Sequence, residues 1–215
     1  MDQRLFFLIN RDWSVPWLDK TMAVASSWDF WWPIAILAAL LVFFLGGFHG
    51  RAALVCCGFA IGLTDGIVVD LVKTLVGRPR PHIVMDGVRI VDLEKARPRI
   101  LAIGKPVTVK WSQPMIQPVR GNSFPSGHAA NNFALATVIA LFWRRWGWLY
   151  FLPATLVAYS RMYVGSHYPT DTLVGMILGA GLACLVVFAC EGLWRRFGPR
   201  WFPRVAERHP SLLNP

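Results

Sequence analysis

Long apolar stretches alternate with short polar ones along most of the chain. The stretch 30–48 contains no charged residue, and its 19 residues are about enough to cross a hydrocarbon core of roughly 30 Å. A second stretch, 52–76, is interrupted by Asp65, Asp70 and Lys73, so it predicts a helix that does not face lipid on every side. Asp70 can pair with Lys73 three residues later. Further apolar stretches of helical length follow at 128–143, 148–163 and 170–194.

The first 29 residues have a different pattern, in which aromatic and charged residues are mixed. Trp13 and Trp17 stand there among Asp12, Asp19 and Lys20. Aromatic rings combined with charges favour the boundary between lipid and water. We therefore expect 1–29 to form an interfacial helix, with a sixth span in this region as the alternative.

The whole pattern predicts an all-α integral membrane bundle with about five spans, formed by a single domain over 1–215. Between the second and third spans, 77–127 is polar and contains turn and short-strand signals, so we expect a long extramembrane loop. A basic tail, 195–215, follows the last span.

The composition agrees with a membrane protein, because 55% of the residues are hydrophobic. The 22 basic residues outnumber the 12 acidic ones and give a net charge of +10, which suits anionic lipid head groups or nucleic acid. The spans favour lipid, so we expect membrane lipids as partners and no nucleic acid. The four cysteines lie in apolar runs without metal-ligand spacing, and we expect no metal and no cofactor. Nothing in the pattern indicates an oligomeric state.

Basic residues are concentrated where the second span ends, at Lys73, Arg78 and Arg80. Gly77 and Pro79 would stop the helix at this point, so the cations are expected to leave the membrane together. The alternative is that they extend to the lipid head groups without binding a specific ligand.

A second cluster, Asn-Ser-Phe-Pro-Ser-Gly-His at 122–128, lies directly before the third span. Pro125 suits an early helical position, so the amides of Ser126, Gly127 and His128 are expected to be free at a helix start. Such a start binds anions readily, and an ordinary capped helix is the alternative.

The third cluster lies across the link between the fourth and fifth spans and contains Ser160, Arg161, His167 and Asp171. Pro169 predicts that the fifth helix begins near it, with Asp171 in the first turn. A carboxylate four positions after a histidine can accept the Nδ1 proton and leave Nε2 free as a nucleophile.

The alternating direction of five spans would bring all three clusters to one membrane face. A site on that face would then hold cations, helix-start amides, a serine hydroxyl and two histidines. These groups supply what phosphoryl transfer requires, namely charge neutralisation, a nucleophile and a proton donor.

The three clusters together resemble the type 2 phosphatidic acid phosphatase superfamily, whose pattern is K-x6-R-P, then P-S-G-H, then S-R-x5-H-x3-D. Here it reads Lys73 to Arg80-Pro81, then 125–128, then Ser160-Arg161 to His167 to Asp171. Every defined position matches. The resemblance covers roughly 52–194 and gives Arg78 no fixed role.

The resemblance implies a role for each matched residue. His167 would attack phosphorus, His128 would protonate the leaving oxygen, and Asp171 would orient His167. Water would then hydrolyse the phosphohistidine without a metal. The phosphoryl oxygens would be held by Lys73, Arg80, Ser126, Gly127 and Arg161.

Other functions compete with a lipid phosphatase. Vanadium haloperoxidase chemistry uses a similar constellation, but those enzymes are soluble. An anion transporter would explain the cations but not the two histidines in register with them. Transfer of phosphate to another lipid rather than to water is a further alternative.

Basic residues in the tail after 194 predict a cytoplasmic C-terminus, and therefore an extracytoplasmic site at a bacterial inner membrane. As substrate we rank undecaprenyl diphosphate first, ahead of phosphatidylglycerophosphate, phosphatidic acid and lipid A. Cations of the 77–127 loop could attract a diphosphate head group; they are Arg89, Arg97, Arg99, Lys105, Lys110 and Arg120.

Overall fold

The computed structural model describes residues 1–113 and 121–214. Arg120, one of the loop cations named above, lies outside the described residues. The helices of the first half are α1 Asp2–Phe7, α2 Pro16–Ser26, α3 Trp28–Leu45, α4 Gly47–Leu63, α5 Asp70–Val76 and α6 Pro81–Val84. Those of the second half are α7 Gly127–Phe142, α8 Phe151–Tyr163, α9 Pro169–Trp201 and α10 Pro203–Arg208. The strands are β1 Arg89–Leu93 and β2 Val107–Trp111.

A helix lies at each of the five positions that the apolar pattern predicts. Within the described ranges, three segments are long and apolar enough to cross a membrane by length and composition, namely Trp28–Leu45, Gly47–Val84 and Pro169–Trp201. The second of these includes α4 and α5, joined by the π-helical turn Thr64–Val69. Helix α7 is a shorter apolar helix, and α9 continues past the predicted end at 194. The predicted all-α membrane bundle is confirmed.

Helix α7 lies at the centre of the bundle and packs against α4, α8 and α9. Small residues allow α7 and α9 to touch main chain to main chain. A Cβ built on Gly179 would lie 2.0 Å from the Ala130 carbonyl oxygen, and one on Gly175 would lie 2.5 Å from that of Ser126. This close approach brings the first turns of both helices together, and those turns carry two of the three clusters.

The N-terminal segment forms short helices that lie against the end of the bundle. Helix α2 has 11 residues, which at the α-helical rise extend about 17 Å. That length is too short to cross a hydrocarbon core of about 30 Å, so the sixth span considered for 1–29 is not present in this segment. Instead, α2 packs against α8 and β1.

The loop 77–127 carries a β-hairpin, as the short-strand signals indicated. Strands β1 and β2 are antiparallel, with Arg89 opposite Trp111 and Leu93 opposite Val107. Alternate residues of β1 are buried against the N-terminal segment and the end of α8, among them Val91 and Leu93. The hairpin therefore covers the end of the bundle where the clusters lie.

The C-terminal tail packs against the bundle at the opposite end. The buried Glu191 carboxylate accepts hydrogen bonds from the Ser211 hydroxyl at 2.8 Å and from the Leu212 amide at 2.7 Å. Leu212 and Leu213 enter the hydrophobic core formed by α4, α7 and α9. The basic tail predicted from the sequence thus ends in a packed segment.

Candidate active site

Main-chain hydrogen bonds bring the three sequence clusters together at one end of the bundle. The Ser126 amide donates to the Asp171 carbonyl oxygen at 2.9 Å, which joins the start of α7 to the start of α9. The Ser123 amide donates to the Arg78 carbonyl oxygen at 2.9 Å, which joins the same loop to the segment after α5. The convergence on one face that the topology predicts is therefore present.

Lys73 lies on the last turn of α5. Gly77 adopts a left-handed φ of 59° and its amide donates to the Lys73 carbonyl oxygen at 2.9 Å, so glycine ends the helix as expected. The Lys73 ammonium is 3.6 Å from the Asp70 carboxylate, which is the predicted pair. A Cβ built on Gly127 would lie 3.7 Å from Lys73 Nζ, so the ammonium faces the start of α7.

The start of α7 differs from the sequence prediction in one respect. The Ser126 amide is not free, because it donates to the Asp171 carbonyl oxygen. Ser126 is the N-cap residue, and its hydroxyl oxygen accepts from the Ala129 amide at a long 3.5 Å. The amides of Gly127 and His128 follow at the first two helical positions, where the helix dipole is positive and an anion is favoured.

The turn between α8 and α9 is compact because one carbonyl group holds two amides. The amides of Ser166 and His167 donate to the Arg161 carbonyl oxygen at 3.0 and 3.1 Å. Gly165 adopts a φ of 81°, and a Cβ there would lie 2.5 Å from the Arg89 carbonyl oxygen. Only glycine therefore lets β1 lie directly over this turn.

The His167 ring is held by a main-chain carbonyl group. Its Nδ1 lies 2.7 Å from the Ser123 carbonyl oxygen, whereas the Asp171 carboxylate is 3.8 Å away. The Nδ1 proton is therefore donated to the Ser123 carbonyl oxygen, and the prediction that Asp171 accepts it is wrong. Because a carbonyl oxygen can only accept, the proton is on Nδ1 and the Nε2 lone pair is free, which is the tautomer that the sequence prediction required.

His167 is 3% exposed, and its surroundings keep it neutral. Burial lowers the pKa of His167 to about 4; the nearby Asp171 carboxylate opposes this shift, and Arg161 and Arg80 add to it. An uncharged imidazole with a free Nε2 is the nucleophilic form of histidine.

Asp171 is fully buried and accepts three hydrogen bonds. Its donors are Arg78 Nη1 at 2.7 Å, the Ser123 hydroxyl at 2.5 Å and the Tyr168 amide at 2.9 Å. Ser123 connects Asp171 to His167, because it donates to the carboxylate with its hydroxyl and accepts from the imidazole with its carbonyl group. Sequence reasoning missed the part played by Ser123, although it lies inside the second cluster.

Arg80 and Arg161 lie close to the two histidines, and each has a buried Nε that bonds to no group of the described residues. Arg161 also donates through Nη1 to the Ser26 carbonyl oxygen at 3.0 Å and to the Ser26 hydroxyl. The cations closest to His128 in electrostatic effect are Arg161, Arg80 and Lys73. Buried cationic donors without partners are costly unless an anion takes them up.

Asn10 fixes the β-hairpin to the N-terminal segment and to the end of α8. Its amide group donates to the carbonyl oxygens of Arg89 at 2.8 Å and Tyr163 at 2.7 Å, and its oxygen accepts from the Arg89 amide at 2.9 Å. Arg89 also pairs with Asp19 at 2.6 Å, and the Tyr163 hydroxyl donates to the same carboxylate. These contacts join the N-terminal segment, β1 and the end of α8 beside the site. No sequence motif predicted them.

Among the described residues, no group of three or more histidine, cysteine, aspartate or glutamate side chains is arranged to hold a metal ion. The charges that face the histidines are instead lysine and arginine side chains. This donor set suits a phosphoryl group, whose oxygens accept hydrogen bonds and carry negative charge.

The fold and the site define a membrane-embedded phosphatase built on a helical bundle. Residues 53–195 match the model of the PAP2 superfamily, and the chain belongs to that family. The resemblance stated from the three motifs is thereby confirmed, and the chain is a membrane lipid phosphatase.

Similar proteins include a lipid A 4'-phosphatase of Bacteroides thetaiotaomicron, which is 32% identical over 206 residues, 91% of this chain and 80% of that protein. An undecaprenyl-diphosphatase of Sulfolobus acidocaldarius is 41% identical over 66 residues, which is 30% of this chain and 32% of that one. The crystal structure of Aquifex aeolicus LpxE superposes with a TM-score of 0.60 at 25% identity, covering 87% of this chain and 94% of that chain. The phosphatidylglycerolphosphate phosphatase of Bacillus subtilis has the same fold, with a TM-score of 0.56 at 22% identity, covering 89% of this chain and 87% of that chain.

Proposed function

We propose that the chain hydrolyses a phosphate monoester of lipid A through a phosphohistidine on His167. The observation that carries the mechanism is the buried, neutral His167, whose Nδ1 is held by the Ser123 carbonyl group and whose Nε2 is free. In the first step Nε2 attacks phosphorus while the bond between phosphorus and the lipid oxygen breaks. His128, which takes up a proton when the phosphate dianion binds beside it, donates that proton to the leaving oxygen.

In the second step water attacks the phosphohistidine. His128, now without its proton, accepts one from the water, and the phosphorus–nitrogen bond breaks to release inorganic phosphate. His167 returns to its starting form with a free Nε2. Every proton given in the first step is recovered in the second, so the cycle consumes only water.

The cations provide the electrostatic part of catalysis. A unit positive charge 4 Å from a phosphoryl oxygen contributes about 4 kcal/mol at an effective dielectric constant of about 20. We assign this role to Lys73, Arg80 and Arg161, with the Gly127 and His128 amides as further donors. Ser126 contributes through its hydroxyl, since its amide is occupied by Asp171. Three such charges can stabilise a transferring phosphoryl group, and the mechanism uses no metal.

Two substrates remain in competition, and the extent of similarity ranks them. The similarity to a lipid A 4'-phosphatase extends over 91% of this chain, whereas the undecaprenyl-diphosphatase match covers 30%. We therefore place lipid A ahead of undecaprenyl diphosphate, which was first on the sequence alone. Undecaprenyl diphosphate stays the second candidate, because the sequence identity between this chain and the undecaprenyl-diphosphatase reaches 41% over the 66 matched residues.

The membrane orientation belongs to the same proposal. Arg144 and Arg145 lie in the turn between α7 and α8, at the end of the bundle away from the site, and Arg195 and Arg196 lie near the end of α9. Positive residues in short turns and at helix ends favour the cytoplasmic side. We therefore propose that the site opens to the extracytoplasmic face of a bacterial inner membrane.

A phosphate-release panel with purified protein in detergent tests the substrate. The panel contains lipid A, undecaprenyl diphosphate, phosphatidylglycerophosphate and phosphatidic acid, with His167→Ala as the inactive control. We expect release from lipid A to have the highest kcat/KM and to be lost in His167→Ala. Release from undecaprenyl diphosphate alone would contradict the substrate, and undiminished turnover by His167→Ala would contradict the mechanism.

A further inference from the structure

Arg78 has no role in the motif pattern, yet its side chain joins two carboxylates at the edge of the site. Nη1 donates to Asp171 at 2.7 Å, and Nη2 donates to Asp2 at 2.6 Å. Nη1 also lies 2.8 Å from the Thr170 hydroxyl, and the guanidinium lies 3.8 Å above the Tyr168 ring. A planar guanidinium can bridge two carboxylates in this way, whereas an ammonium has no such fork.

Among the donors to Asp171 in the described part of the chain, Arg78 is the one that carries a charge. Asp171 is completely buried, and its other donors are the neutral Ser123 hydroxyl and Tyr168 amide. A buried carboxylate requires a counter-charge to remain ionised at low cost. Arg78 provides it, and so fixes the orientation in which Asp171 accepts from Ser123.

Arg78 also holds Ser123 through the main chain. The Arg78 carbonyl oxygen accepts from the Ser123 amide at 2.9 Å, and the Ser123 carbonyl oxygen in turn accepts from His167 Nδ1 at 2.7 Å. Arg78 therefore holds both residues that position the imidazole. Its carbonyl oxygen binds the Ser123 amide, and its guanidinium binds the Asp171 carboxylate.

Asp2 anchors Arg78 from helix α1, which lies outside the matched residues 53–195. Its carboxylate also accepts from the Thr170 amide at 3.1 Å and from the Thr170 hydroxyl at 2.7 Å, in the first turn of α9. Burial raises the pKa of Asp2, but the hydrogen bonds from Arg78 and Thr170 outweigh it and hold the pKa below its ordinary value. The ionised carboxylate suits the positive end of α9.

We propose that Arg78 and Asp2 are positioning residues that act on His167 through Asp171 and Ser123, so that helix α1 is part of the active site. The inference rests on the proposed role of His167 as the nucleophile. Because both residues would act through His167 and not on the phosphoryl group, their removal should lower kcat while KM stays nearly constant. The N-terminal helix is then required for chemistry as well as for packing.

The test compares Arg78→Gln, Arg78→Lys, Asp2→Asn and the double variant Arg78→Gln/Asp2→Asn with wild type, using lipid A in detergent micelles. We expect kcat to fall about 100-fold in Arg78→Gln and about 10-fold in Asp2→Asn and Arg78→Lys. The double variant should be no slower than Arg78→Gln, because the two residues act as one unit. Asp12→Asn and Arg11→Gln, which alter an exposed pair on the same segment, should match wild type.

A second readout separates positioning from folding. In protein with ¹⁵N-labelled histidine, the His167 Nδ1 resonance should shift in Arg78→Gln and Asp2→Asn, and should remain as in wild type in Asp12→Asn. Wild-type kcat in Asp2→Asn and Arg78→Lys, with an unchanged His167 resonance, would overturn the inference even if Arg78→Gln failed to fold. Turnover that survives in His167→Ala would instead contradict the proposed function, which distinguishes the two failures.

Discussion

His167 should remain uncharged well into the acidic range, and this can be measured directly. Burial lowers its pKa to about 4 from an ordinary value of 6.5. At pH 5.5 an imidazole with a pKa of 4 is about 97% neutral, whereas one with a pKa of 6.5 is about 9% neutral. Protonation of His167 should therefore leave kcat/KM close to its maximum at pH 5.5. A nucleophilic histidine with an ordinary pKa would lower kcat/KM about tenfold at that pH.

The assay that isolates this group is a histidine NMR titration in detergent, because substrate phosphate and His128 also contribute to the pH–rate profile. The chain contains five histidines, and the resonance lost in His167→Gln identifies the one of interest. We expect Nε2 of His167 to keep the shift of an unprotonated nitrogen between pH 7 and pH 5. A midpoint near 6.5 would refute the argument that burial and the arginines control this residue.

The same shift links stability to pH. The folded pKa lies below the unfolded one, so protons favour the unfolded chain, and stability that is present above pH 6.5 is lost as pH falls towards 4. For a buried group the full difference corresponds to about 3 kcal/mol, as an order of magnitude. His167→Gln should flatten this part of the dependence of Tm on pH, and an unchanged slope would contradict the assignment.

The remaining predictions concern metal ions and two glycines. Activity should survive EDTA, and vanadate should inhibit by adopting the geometry of the transferring phosphoryl group; loss of activity in EDTA with recovery on adding a divalent ion would disprove the cation-only mechanism. Gly165→Ala should lower stability by about 2–4 kcal/mol and lower kcat as well, because a Cβ there meets Arg89 and a left-handed φ is strained. Gly179→Ala should lower Tm because its Cβ would meet the Ala130 carbonyl oxygen, whereas Gly181→Ala, with nothing within 4 Å, should not.

The positions of the apolar helices and of the three clusters could be predicted because each depends on local sequence. Uncharged length predicts a membrane helix, and the glycine at 77 and the proline at 169 predict a helix end and a helix start near the positions where the structure has them. The direction of consecutive spans then brings the clusters together without any knowledge of packing. For the same reason the Asp70–Lys73 pair, three residues apart on one helix, could be predicted.

Contacts between distant segments could not be predicted in the same way. The sequence places Asp171 four residues from His167, but the choice of Ser123 as the acceptor depends on how the loop before α7 folds. Ser26 and Asp2 reach the site from an N-terminal segment whose pattern indicates only an interfacial location. Such contacts depend on tertiary geometry, for which a single sequence gives no periodic signal.

The buried Glu191 has a consequence for how the chain completes its fold. Its partners, Ser211 and Leu212, lie 20 and 21 residues further along the chain, and Leu213 joins the same core. Until they arrive, the carboxylate lacks these two hydrogen bonds, and the surface beneath them is exposed to its surroundings. The bundle can therefore close at this end only once 211–213 have docked, which makes this segment part of the folded bundle and not a free tail.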